Sequence, residues 1–369
     1  MAARPSKTTA IATAPRPTSG GAAPRVRDFA TSAAGFRIEW DIRSIYDFLF
    51  SLSDEAEFPH DLLEIDRVWV DQARQTLAAA HPDEAMVVGS DIAILVGSFA
   101  VEHPELRTVD TFLDALEATP TEELLSTMLC DLMTDPDIGS LVEPASTGDR
   151  AALRALREAI PEHKVGLQIL LEDPADGLAR LIAILRTWAS VFADIEPRIV
   201  AYLERDHALR AVDRGLTTGS ELIERTTGGI RWLPEVSIRR VILAPTYFSR
   251  PYNILLAGPD WRFFAYPVAD EALEAEDRLS APQSVVRLHR ALGDDTRLRI
   301  LKLLAARDLY LTEIAQQLEL SKPTIKHHLA QLRAAGLVTV VEAGSVIYYS
   351  LRRDRIESAS ADLASFLTP

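Results

Sequence analysis

Ser321, Lys322, Thr324, Lys326, His327, Gln331 and Arg333 fall in one short stretch of the chain. Cations, hydroxyls, an imidazole and an amide are the side chains that meet the phosphates and base edges of a duplex. Interleaved with them are Ile325, Leu329 and Leu332, apolar at spacings of four and three. On a helix that spacing is one stripe, which must pack inward. Lys326, His327 and Gln331 then point the opposite way, with Thr324 and Arg333 at the rims. Pro323 is tolerable in the first helical turn, where its missing N–H has no partner in any case. His327 and His328 are adjacent, so their side chains diverge by about 100° and cannot chelate one ion as an i, i+4 pair does. His328 falls beside the apolar stripe and reads as a packed histidine; His327 faces outward.

A helix used in this way needs neighbours to hold it. Val285 to Leu292 reads as a short helix, and Arg297 to Ala306 as a second, with Asp295 or Thr296 as its cap. Glu313 to Leu318 reads as a third, capped by Thr312. The fourth, about Lys322 to Ala335, stops at Gly336, the residue type that accepts a left-handed C-terminal position. Leu337–Val341 and Val346–Leu351 then flank Glu342-Ala343-Gly344-Ser345 as a β-hairpin, and Arg352 to Phe366 is a last amphipathic helix with Ile356, Leu363 and Phe366 on its apolar side. Two short helices closely joined, followed by a hairpin, spell a winged helix-turn-helix over residues 283–369.

The run Leu292-Gly293-Asp294-Asp295-Thr296-Arg297-Leu298-Arg299-Ile300-Leu301, then Leu311-Thr312-Glu313-Ile314-Ala315, Leu320 to Arg333, Ala335-Gly336-Leu337-Val338 and Val346 to Leu351 resembles the arsenic-repressor (ArsR) family of transcriptional regulators. The resemblance implies a homodimer formed through the first and last helices of the module, with one recognition helix per half of a palindromic operator in double-stranded DNA. It carries DNA-contacting roles to Ser321, Lys322, Thr324, Lys326, His327 and Gln331. Two departures stand out. Where metal-sensing members carry Cys-x-Cys this chain has Tyr310-Leu311-Thr312, and its last helix lacks histidine, so no metal is expected. The wing tip also lacks the arginines usual there. Upstream, Arg240 to Phe248 with Tyr266-Pro267 is similar to the uncharacterised N-terminal domain of longer members, which implies a signal-receiving or dimer-supporting role.

The net charge of −15 opposes nucleic-acid binding until it is divided along the chain. From Pro282 onward there are 12 Lys and Arg against 9 Asp and Glu. The acidic excess therefore belongs to the preceding body, and a mildly basic C-terminal end is free to meet phosphates. Residues 1–34, rich in Ala, Thr, Pro and Gly, read as a disordered tail. Residues 35–270 read as a helical domain carrying a small β-sheet. Its helices fall near 61–80, 88–101, 108–118, 121–134, 149–160, 164–172, 176–193 and 198–214, the last two as an antiparallel hairpin. Asp41 is the expected cap of a helix bearing Ile45, Tyr46 and Leu49. Strands are expected at Phe36–Trp40, Val236–Leu243, Tyr252–Leu256 and Trp261–Tyr266. Residues 271–282 are acidic and read as the linker. The fold class is mainly α with small β-sheets (α+β).

No glycine-rich phosphate loop, zinc-protease or nucleophile-elbow motif occurs, so no enzyme activity and no cofactor is expected. Two alternatives stay open: an enzyme domain fused to a DNA-binding module, and a winged helix used to bind protein. The aromatic residues between Tyr247 and Tyr266 read as core in preference to a pocket lining. The lone cysteine, Cys130, excludes an internal disulfide and reads as a core thiol. Met86 to Val101 is too short and carries Asp91, so no membrane contact and a cytoplasmic location are expected. The effector is left unidentified.

Overall fold

A computed structural model describes residues 35–52, 62–82, 85–212, 219–273, 281–343 and 346–368. The expected disordered tail lies outside these residues, as does most of the expected linker.

The body is a helical layer against a small sheet. Strand β1 (Arg37–Trp40) is followed by helices α1 (Ile45–Phe50), α2 (Glu64–Ala80), α3 (Ala85–Glu102), α4 (Val109–Ala118), α5 (Thr121–Met128), α6 (Gly139–Ser146), α7 (Arg150–Ala159), α8 (Val165–Glu172), α9 (Pro174–Phe192), α10 (Glu196–Leu209) and α11 (Gly219–Thr226). Strands β2 (Ile230–Trp232), β3 (Arg240–Thr246), β4 (Ile254–Ala257) and β5 (Trp261–Pro267) come next. The C-terminal part runs α12 (Gln283–Leu292), α13 (Asp295–Leu304), β6 (Leu309–Tyr310), α14 (Leu311–Leu318), α15 (Lys322–Ala334), β7 (Val338–Ala343), β8 (Val346–Leu351) and α16 (Arg353–Leu367).

The body's sheet has the order β1-β3-β5-β4, with β1, β3 and β5 parallel and β4 antiparallel to β5. Both faces are covered, so successive side chains enter two different cores. Ile242, Ala244, Phe263 and Ala265 pack under the helices. Val241, Leu243, Phe264 and Tyr266 pack on the other side with Ile223, Ile230 and Trp232. All but Tyr252 of the aromatic residues between Tyr247 and Tyr266 are buried, and Cys130 is buried as well. Burial pushes its thiol up to about 11.

Several local expectations give way to tertiary demands. Asp41 does not cap α1; Ser44 holds that position, and the Asp41 carboxylate accepts from Arg43 Nε at 2.8 Å and Tyr46 Oη at 2.7 Å. Arg43 itself is buried and donates to the carbonyls of Ala100 (2.7 Å), His103 (3.0 Å) and Leu106 (2.6 Å), closing the end of α3. The stretch 121–134 splits into α5 and a 3-10 turn at Cys130–Thr134. The pair α9 and α10 shares one core without packing as a hairpin, because α10 leans onto β3, where the Tyr202 ring lies 5.3 Å from that of Tyr247. The strand expected at Val236 begins only at Arg240.

A second sheet, β2-β7-β8-β6, joins the two parts of the chain. Its β7–β8 hairpin is antiparallel, and β2 from the body adds to β7 in parallel, Ile230 opposite Val340 and Trp232 opposite Glu342. Further bonds cross the same junction. Arg352 Nη1 donates to the Gly228 carbonyl at 2.7 Å, and the Asp270 carboxylate accepts from Ser284 N at 2.8 Å while binding the buried Arg250.

One buried acid makes the body's stability pH-dependent. Asp47 is fully buried, and its Oδ1 accepts from Tyr247 N (2.8 Å) and Phe248 N (2.7 Å), pinning the turn after β3. Burial pushes its carboxyl up to about 7, and the two backbone bonds only partly pull it back. An unfolded aspartate titrates near 4. The folded state therefore holds this proton more tightly, and the stability it lends is lost as pH rises from about 4 through about 7, by at most about 4 kcal/mol. Asp47→Asn should remove this component. Urea unfolding of both proteins across that range should show the variant gaining on wild type as pH rises; a constant difference would contradict the assignment.

Candidate nucleic-acid interface

The module is built around its own core of Leu288, Ile300, Leu304, Ile314, Leu318, Ile325, Leu329, Leu332 and Leu337. Ile325, Leu329 and Leu332 are buried as their spacing requires. α15 starts at Ser321, whose Oγ accepts from Thr324 N at 3.3 Å, and carries Pro323 in its first turn. It ends at Gly336, which adopts φ 69°, so that no side chain has to be fitted into a left-handed backbone there.

The two preceding caps differ from expectation. Asp294, ahead of Asp295 and Thr296, caps α13 by accepting from Arg297 N at 2.9 Å. α14 starts one residue ahead of Thr312; Tyr310 occupies the cap, and Glu313 accepts from Tyr310 N at 3.0 Å. Between α14 and α15 the turn passes through Glu319 at φ 56°, the left-handed residue that reverses the chain.

Ser321, Lys322, Thr324, Lys326 and His327 are exposed, on the side away from the core. Lys322 and Lys326 are four residues apart and share a face. The Ser321 and Thr324 hydroxyls bond each other at 2.7 Å. Gln331 is half-buried and doubly engaged: it accepts from Arg297 Nη1 and its Nε2 lies 2.8 Å from His327 Nε2. With the amide carbonyl taken by Arg297, its NH2 donates to His327, which puts the proton of the neutral imidazole on Nδ1. Gln331 thus orients His327. Arg333 stands apart from this group, half-buried and close enough to Tyr252 and Tyr349 to act on both electrostatically. His328 is partly buried 3.8 Å from Asp294, and desolvation lowers its pKa despite that carboxylate.

Arg297 is the residue that reading the pattern missed. It is buried, and besides Gln331 it donates through Nε to the Ala291 carbonyl at 2.8 Å and through Nη2 to that of Arg290 at 2.7 Å. One guanidinium closes the C-terminus of α12 and fixes a side chain on α15. The available signal was its phase: Arg297 lies on the same stripe as Ile300, Leu301 and Leu304, where an exposed arginine would not fall.

Helices α14 and α15 joined by a tight turn, with α12 and α13 behind them and the β7–β8 hairpin alongside, define a winged helix-turn-helix protein. A family model described as "Bacterial regulatory protein, arsR family" matches residues 294–340. The chain is 36% identical over 78 residues to the HTH-type transcriptional regulator KmtR of Mycobacterium tuberculosis, covering 21% of this chain and 60% of that protein. It is 35% identical over 78 residues to the transcriptional repressor SdpR of Bacillus subtilis, covering 21% of this chain and 87% of that protein. To the arsenic resistance transcriptional regulator ArsR1 of Pseudomonas putida it is 44% identical over 63 residues, 17% of this chain and 49% of that protein. This chain belongs to the arsR family of bacterial regulatory proteins.

Arg297→Ala should destabilise the module by roughly 2–3 kcal/mol, since it strands two helix-end carbonyls and frees Gln331. Arg297→Lys should recover little, because one ammonium cannot reach three separated acceptors in the fork geometry of a guanidinium. Thermal unfolding followed by circular dichroism checks both; full recovery by lysine would show that charge alone matters there.

Proposed function

We propose that this protein is a DNA-binding transcriptional regulator, acting as a repressor, that reads a palindromic operator as a homodimer through α15. The observation that carries this reading is the segregation on one helix: Ile325, Leu329 and Leu332 are buried while Lys322, Thr324, Lys326 and His327 stand exposed on the opposite side. A major groove accepts such a helix, with the lysines on phosphates and the hydroxyl and imidazole at base edges. Ser321, Gln331 and Arg333 complete the set, the first two by shaping it. KmtR, a transcriptional regulator, and SdpR, a transcriptional repressor, point the same way.

Dimerisation is supported by the apolar side of α16, where Ile356 is 38% and Leu367 68% exposed. A second copy would cover this surface beside α12. We assign residues 283–369 to DNA binding, residues 35–270 to receiving a non-metal signal, and 271–282 to the link between them. Among the described residues no helix is long and apolar enough to cross a membrane.

A gel shift on the DNA upstream of the protein's own gene tests the reading. Specific contacts to base edges are worth roughly 1–3 kcal/mol each. The double change Lys326→Ala, His327→Ala should therefore remove the shifted complex at concentrations that saturate wild type, with an unchanged thermal midpoint. Lys322→Ala, a loss of one phosphate contact, should lower the slope of log affinity against log salt by about one. A folded double variant that still shifts the operator would overturn the assigned face.

A further inference from the structure

A cavity of about 630 Å³ lies between the body and the DNA-binding module. Its size suits a small molecule. The body contributes Thr226–Gly228, Pro251, Asn253 and Pro267–Glu271; the module contributes the start of α12, the end of α15 and one side of α16. Nothing in the family match reaches it from the body side, since that match covers residues 294–340 alone.

The charge of the lining is unusual for a chain with a net charge of −15. Among the described residues Arg210, Arg225, Arg287, Arg333, Arg352 and Arg355 line the space, against three carboxylates. Of those three, Asp270 is committed to the wall, binding Arg250 and the Ser284 N–H, and Asp362 lies 3.3 Å from Arg355. Several of the arginines are held in place. Arg210 donates from Nε to the buried Asp206 at 2.8 Å with its guanidinium 4.6 Å from the centre of the Tyr266 ring, and Arg352 spans Gly228 and Asp354. A guanidinium whose position is fixed by such contacts loses little further freedom when a ligand binds, which lowers the entropy cost. Arg287 is set deeper in the same wall, where burial pulls its guanidinium down to about 10.

We propose that this cavity is the binding site for a small polyanion carrying carboxylate or phosphate groups, held by arginines from both sides of the junction. The position also suits a signal. Thr226–Gly228 lead directly into β2, Arg333–Gly336 lead into β7, and β2 and β7 are hydrogen-bonded neighbours. A ligand there changes the contact between body and wing at the corner where the two strands start. This regulatory clause rests on the DNA-binding reading above; the site itself does not.

Calorimetric titration of the full chain with citrate and, separately, inorganic pyrophosphate, at constant ionic strength, tests the site. Saturable binding of one molecule per chain is expected from at least one of them; citrate alone identifies a carboxylate ligand and pyrophosphate alone a phosphate ligand. Arg225→Gln, at an exposed position on the rim, and Arg287→Gln should each weaken binding by at least roughly tenfold, the loss expected when a charge-assisted hydrogen bond is removed. No saturable binding of either probe at millimolar concentration, or binding unmoved by both substitutions, overturns the proposal. Repeating the gel shift with the bound probe separates the two claims. Altered operator affinity supports the coupling, and unaltered affinity overturns the coupling while the site stands on the calorimetry.

Discussion

Everything the C-terminal part can do follows from one constraint, that a helix with an apolar stripe has only one way to face. Burying Ile325, Leu329 and Leu332 removes the choice of which side of α15 meets solvent. Burial of three such side chains is worth several kcal/mol, roughly 1.5–3 for each, far more than any exposed lysine or histidine could oppose. The direction of the polar set is thereby decided by the stripe, with the Ser321 cap and the Gln331 bonds adding local order. Arg297 completes the aiming from below. By holding Gln331, which in turn holds His327, it converts a rotationally free imidazole into one with a defined tautomer and direction.

The second organising feature is the shared sheet. A winged helix needs only its hairpin and the short β6 to make a sheet, yet here a fourth strand, β2, lies on the free edge of β7, supplied from more than a hundred residues upstream. Trp232 on that strand is buried against Phe264, their ring centroids 6.4 Å apart, and against Phe36 at 5.1 Å. The backbone of β2 thus belongs to the wing and its side chains to the body. Any shift of the wing relative to the body must break the parallel ladder or carry Trp232 with it.

How far this was legible in the sequence depended on whether the deciding interaction was local. The module could be read because its signals lie within a few residues of what they determine: the stripe on α15, Gly336 after it, the paired strand runs around a polar tip. Its caps were misjudged by one or two residues at Asp294 and Tyr310, where several residues could have served and only packing chooses. β1 stood out by its alternation, and β4 and β5 as apolar runs set off by Pro251, Gly258-Pro259 and Pro267. β2 did not, since three residues make no period and its partner is distant. α6, with a glycine at its start and Pro144 inside, carries no helical signature and is held by its neighbours. Asp47 and Arg43 read as surface residues by type; only the fold reveals that each satisfies backbone groups far along the chain.

The exposed face of α15, the candidate site, was legible in its composition and incomplete in its wiring. Ser321, Lys322, Thr324, Lys326 and His327 were recognisable because exposure follows from phase. Gln331 and Arg333 belong to the same stretch but answer to different neighbours, one to Arg297 and the other to the junction with the body. That divergence has a mechanical meaning. The N-terminal turns of α15 present groups to solvent, while its last turn is built into the wall shared with the body. A rigid helix of 13 residues spans about 20 Å, so a small rotation imposed at the Arg333 end displaces Lys322 and Lys326 by more than it displaces Arg333. A body that moves its own contacts therefore has, in α15, a lever already attached to the residues that would meet DNA. An effector needs only to prefer one setting of that lever to change occupancy of an operator.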